Sequence, residues 1–168
     1  MKRFLACLLL LTMILTLSAC LVKKDPKTAK DKEFTCGNMS ITLTDGFREA
    51  RVNGYATAFE SADSTIYVIK EAFADLTEEQ AALDVAAYGD LFRFNNATRS
   101  PAVLSTENEL VSTEYTFADE ETGVTYKYFT AFFKGSDAFW AVEFACEESL
   151  FADYKACFVR WAQSVVVA

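Results

Sequence analysis

Between Val124 and Cys146 the chain carries two extended runs joined at Gly135-Ser136, and both alternating sets of side chains on them are largely apolar. If the turn pairs Lys134 with Asp137, then Phe129, Ala131 and Phe133 share a face with Trp140, Val142 and Phe144. The other face carries Tyr126, Tyr128, Thr130 and Phe132 beside Phe139, Ala141, Glu143 and Ala145. A hairpin with one wet face would alternate apolar and polar, so this one needs cover on both sides.

Helices able to supply that cover flank the hairpin in sequence. Leu150 to Ser164 places Phe151, Tyr154, Phe158, Trp161 and then Val165 at helical spacing. Thr77-Glu78-Glu79-Gln80 has the form of a capping box and opens a helix expected to reach about Phe94. Leu83, Ala87, Leu91 and Phe94 line one of its faces, and Asn95-Asn96 ends it. Strands are expected at Met39–Leu43, Tyr55–Glu60 after an Asn53-Gly54 turn, and Thr65–Glu71, forming an opening three-strand meander. Leu110–Ala118 follows Ser100-Pro101 and precedes the hairpin. The expected fold is α+β: an antiparallel sheet of about six strands with helices on both faces, an α/β/α sandwich.

Ahead of this domain lie Met1-Lys2-Arg3 and a fourteen-residue apolar run from Phe4 to Leu17. The run is too short to span a bilayer and reads as an export signal over residues 1–19. Leu17-Ser18-Ala19-Cys20 resembles the lipobox of bacterial lipoproteins, which implies that Cys20 is lipidated and anchors the mature protein to the extracytoplasmic face of a bacterial cell membrane. Residues 20–32 then read as the lipidated cysteine and a flexible basic tether, because residues 21–32 hold five lysines against two aspartates. Residues 33–168 form a single domain with nine basic and twenty-two acidic residues, a net charge of −13. Such a globule is repelled by nucleic acid and anionic headgroups, while its tether is attracted to them. The expected partners are the membrane, through Cys20, and an unidentified protein or peptide.

The segments MSITLTDGF, YVIKEAF, DAFWAVEFAC and FVRWAQSVVV resemble small bacterial lipoproteins with a PsbP-like α/β/α sandwich, over roughly residues 33–168. These are core strands and a terminal helix, so the resemblance speaks to fold. It implies an accessory binding role like those of a photosystem subunit and a Ran-binding protein with this fold, and it assigns no catalytic residue to any position.

The chain contains no histidine, which removes Ser-His and Cys-His catalysis and the commonest metal ligand. No metal site, cofactor or catalytic residue is expected. Cys36, Cys146 and Cys157 follow the anchor, an odd number that permits one disulfide at most. Asp119-Glu120-Glu121 lacks the ligand alternation of a calcium loop and reads as a solvated hairpin tip. Trp140 and Trp161 fall in apolar periodic patterns and read as core.

Glu143 is the unusual acid, since the register above sets it opposite Tyr128 and beside Tyr126. Those three residues are the candidate ligand-binding set. The solvation of most strand acids favours the plainer reading of Glu143, near a sheet edge or reaching solvent. The expected function is a membrane-anchored, non-catalytic accessory or binding domain for a protein or peptide. One alternative is capture of a small ligand on the tyrosine face. Another is a carboxylate-dependent glycan hydrolase, which would need two acids converging in a cleft.

Overall fold

The computed structural model describes residues 29–95 and 104–168. The export signal, Cys20, tether residues 21–28, Asn96 and Ser100-Pro101 lie outside the described residues. No helix among the described residues is long and apolar enough to cross a membrane.

Two sheets organise the domain. The larger contains β3 (Arg48–Ala50), β4 (Thr57–Glu60), β5 (Ser64–Ala72), β6 (Val111–Ala118), β7 (Thr125–Lys134) and β8 (Ala138–Glu147). Its spatial order is β3-β4-β5-β8-β7-β6, antiparallel throughout, so the number of strands is the six expected, with β3 in the place expected of Met39–Leu43. The smaller sheet has the order β1-β2-β9, from Asp31–Cys36, Met39–Thr44 and Val166–Val167.

Among the described residues three α-helices complete the fold: α1 (Glu78–Ala81), α2 (Val85–Asn95) and α3 (Glu148–Gln163). On one face of the large sheet, α3 and the small sheet cover Phe59, Ile66, Val68, Phe129, Trp140, Val142 and Phe144. Phe151, Tyr154, Phe158 and Trp161 of α3 are all buried there, as the spacing predicts. Trp140 and Trp161 are core residues. On the other face, Tyr88 and Phe92 of α2 pack on Phe132, Phe139 and Ala141. The both-sided cover demanded by the β7–β8 hairpin is therefore present.

The structure corrects several local expectations. Thr77 and Gln80 form the capping box, with Gln80 N donating to Thr77 Oγ1 at 3.2 Å and Thr77 N to Gln80 Oε1 at 3.0 Å. That helix is only α1, however. Asp84 Oδ1 accepts from Ala87 N at 2.8 Å and starts a second helix, so helical phase does not carry across the break. The buried face of α2 is Tyr88, Gly89 and Phe92. Leu83 and Leu91 are half-buried and Phe94 is exposed. Asp31 and Lys32, expected to be tether, belong instead to β1, which pairs with β2 through a Gly37-Asn38 turn with Gly37 at φ 58°. The opening meander is β3-β4-β5, and β2 lies in the other sheet.

The β7–β8 register also differs, with Lys134 opposite Phe139 across the three-residue connection 135–137. Asp137 is drawn towards β5 instead: its carbonyl accepts from Phe73 N at 2.8 Å, and its carboxylate meets Lys70 Nζ at 2.8 Å and Asn38 Nδ2 at 3.1 Å. A displacement of two residues preserves which side chains share a face and changes only which stand opposite.

Candidate functional site

Strand alternation puts Tyr126, Tyr128, Thr130 and Phe132 of β7 on one face of the large sheet. Across β8 they meet Glu147, Ala145, Glu143 and Ala141, and beyond it Ala145 and Glu143 meet Thr65 and Tyr67 of β5. The α2 helix covers the half of this face that holds Phe132, Phe139 and Ala141. The other half forms an open cleft of about 480 Å³. Its walls are Tyr67, Phe117, Tyr126 and Tyr128, Ala145 lies among them, and Asp63, Asp119 and Glu147 supply carboxylates. Among the described residues, no lysine or arginine lines it.

The carboxylates are held in different ways. Asp119 closes the β6–β7 turn, its Oδ1 accepting from Glu121 N at 2.9 Å and Thr122 N at 3.3 Å. Hydrogen bonds from the Thr122 side chain and then from these amides hold its carboxyl below the usual range, so the group stays ionised. Its engagement with the turn's own backbone makes it a hairpin-tip residue. Glu147 is the last residue of β8 and the N-cap of α3, where negative charge is favoured. Asp63 Oδ2 accepts from Tyr154 Oη at 3.4 Å. Burial, and then the Asp63 charge, push the Tyr154 hydroxyl up to about 12.

The three sequence candidates do not share one environment. Tyr126 and Tyr128 are half-buried and line the cleft. Glu143 does not line it: the side chain is 0% exposed on a central strand, opposite Thr130 on one side and Tyr67 on the other. Both the expected pairing with Tyr128 and the expectation of an edge or solvent-reaching acid are therefore corrected. Glu143 sits between paired strands, where no edge is within reach.

Tyr115 joins this acid to the cleft wall. Its Oη donates to the Glu143 carboxylate, and its ring stacks on Tyr128 with centroids 4.8 Å apart and planes 10° from parallel. The buried acid thus positions Tyr115, and Tyr115 backs the Tyr128 wall.

Sequence reasoning did not single out Tyr67, Tyr115 or Phe117. Tyr67 alternates with buried Ile66 and Val68, and Tyr115 and Phe117 share one face of β6 by alternation, a signal that becomes informative only once β5 and β6 are known to flank β8 and β7. Tyr67 also packs against Tyr55, with ring centroids 4.7 Å apart and planes tilted by 35°. Burial, and then its Tyr55 neighbour, raise the Tyr67 hydroxyl above the ordinary tyrosine value.

Other chemistry has less support. Among the described residues, no group of three or more cysteine, aspartate or glutamate side chains is arranged to hold a metal ion. Cys36, Cys146 and Cys157 are all thiols. Burial, followed by the charge of Glu147, pushes the Cys146 thiol up to about 12.

No protein-family model matches this chain, and no curated protein matches it. Among solved structures it is similar to the solution structure of cyanobacterial PsbP (CyanoP) from Synechocystis sp. PCC 6803. The TM-score is 0.56 and the identity 12%, over 88% of this chain and 98% of that one. At that identity the likeness speaks to architecture alone, and what it shows is that this chain has a PsbP-like fold.

Proposed function

We propose that this protein is a membrane-anchored extracytoplasmic lipoprotein whose PsbP-like domain is a non-catalytic binding module that docks a protein or peptide partner in the tyrosine-lined cleft. The observation that carries the reading is the division of one sheet face into a half sealed by α2 and a half left as a cleft with aromatic walls. Aromatic side chains that are half-buried and rigidly backed give contact area at small entropic cost, which is why they dominate recognition surfaces. Tyr128 has such backing, from Tyr115 and Glu143. The anchor rests on the export signal and on Cys20.

Hydrolysis is not proposed, because Glu143 is sealed beneath the wall and, of the acids that line the cleft, Asp119 is engaged by its turn's amides, Asp63 by Tyr154 Oη, and Glu147 stands at the start of α3. A second reading, a small ligand in the same cleft, is favoured by its volume, which falls within the range of small-molecule sites.

Site-specific photocrosslinking in intact cells tests the proposal. A photoreactive residue at Phe117, which is exposed on the cleft wall, should capture one reproducible protein, and the same residue at exposed Glu78 on α1 should not. Empty or identical captures from the two positions would overturn it.

A further inference from the structure

We propose that the cleft recognises a cationic side chain, a lysine or arginine on a peptide segment of the partner, held over the rings of Tyr126 and Phe117 and beside the carboxylates of Asp119 and Glu147. The inference rests on the docking function above and names its chemistry.

Charge complementarity gives the first argument. The cleft has carboxylates and, among its described lining, no basic residue, and it opens on a domain of net charge −13. An acidic segment would be repelled on approach, whereas a basic one is drawn in. The rings give the second. Aromatic faces attract cations through the ring quadrupole, more strongly where water is partly excluded. Phe117 is 46% exposed and Tyr126 is half-buried, so both leave ring surface available. The same domain already uses this pairing in its own packing: Lys127 Nζ lies 4.3 Å from the Phe151 ring centroid, and Lys134 Nζ lies 5.1 Å from that of Phe139. In the cleft the rings and the anions come from this chain, and the cation is left for a partner to supply.

The test uses the full chain in a non-ionic detergent and a short acetylated glycine–lysine peptide carrying a fluorophore, read by anisotropy at several salt concentrations. Its counterpart has norleucine in place of lysine. The lysine peptide should bind and weaken as salt rises, and the norleucine peptide should bind at least about tenfold more weakly. Glu147→Gln and Tyr126→Leu should each weaken the lysine peptide by roughly three- to tenfold. A Glu78→Gln/Glu79→Gln pair, outside the cleft lining, should leave it unchanged.

Equal binding of the two peptides would overturn the cationic inference and leave docking in the cleft intact. Weakening by the α1 pair as large as that by Glu147→Gln would overturn it in favour of diffuse surface attraction. Absence of binding at millimolar peptide would overturn it as well. The docking function itself falls only if the Phe117 photocrosslinks are empty or match those from Glu78.

Discussion

Replacing Tyr115 by Phe removes one oxygen atom and leaves the ring to stack on Tyr128, so the substitution isolates the hydrogen bond to Glu143. Tyr115 is 7% exposed and Glu143 is 0% exposed, which denies water access to the site in the folded protein. The carboxylate therefore loses a donor that solvent cannot replace. A buried acceptor that loses one donor costs about 1–3 kcal/mol. For a domain of this length each kcal/mol lowers Tm by about 3–4 °C, so the expected loss is about 3–12 °C.

Urea unfolding followed through Trp140 and Trp161, both buried in the native state, supplies the free energy directly. A Glu143→Met variant, which has no oxygen to accept from Tyr115, and the double variant complete the cycle. The two single effects should fall short of additivity in the double variant by at least about 0.5 kcal/mol, because they remove the same contact. Tyr126→Phe, on the half-buried cleft wall, serves as the control and should stay within about 0.5 kcal/mol of the parent. A Tyr115→Phe variant as stable as that control would refute the view that Glu143 is a buried acid held by Tyr115.

Four further outcomes are expected. Gly135→Ala sets a Cβ 2.8 Å from the Ala168 carbonyl oxygen, which also accepts from Ser136 N and Asn38 Nδ2, so it should destabilise the domain by about 1–3 kcal/mol in the same urea assay. Cys146 should resist alkylation at mildly alkaline pH in the folded protein and react after unfolding, since burial pushes its thiol up to about 12; mass mapping of the alkylated cysteines checks this. Burial works to raise the Glu114 carboxyl, but hydrogen bonds from Lys155 and Lys127 outweigh it and hold the group below its usual value. Its stabilisation is therefore present above the ordinary glutamate range and lost as pH falls through the lower folded value, so Glu114→Gln should flatten the decline of the urea midpoint below about pH 4.3. Cys20→Ala should release the protein from membranes in cell fractionation, and unchanged membrane association would refute the lipid anchor.

The division between what could be read from residues and what could not follows the range of the interactions involved. Short-range patterns were sufficient for the Thr77–Gln80 cap, the buried stripe of α3 and the demand of the β7–β8 hairpin for cover on both faces. Each of these is decided by side chains a few positions apart, and each appears in the structure. The face shared by Tyr126 and Tyr128 was legible too, since alternation survives a register displacement of two.

What stands opposite what was not legible. The register of β8 depends on Asp137 being claimed by Lys70, Asn38 and Phe73, residues that are remote in sequence. The rotation of α2 depends on Asp84 restarting the helix and on Tyr88 stacking against Phe139, with centroids 4.2 Å apart. The cleft itself exists only because β5 lies beside β8 and β6 beside β7, which brings Tyr67 and Phe117 to the tyrosines of β7. The sequence by itself determined the Thr77–Gln80 cap, the buried stripe of α3 and the alternating faces of the β7–β8 hairpin, because local sterics and solvation act on neighbours along the chain. Tertiary structure alone decided the burial of Glu143 and the shape of the cleft, because both depend on contacts that form only when distant strands pair.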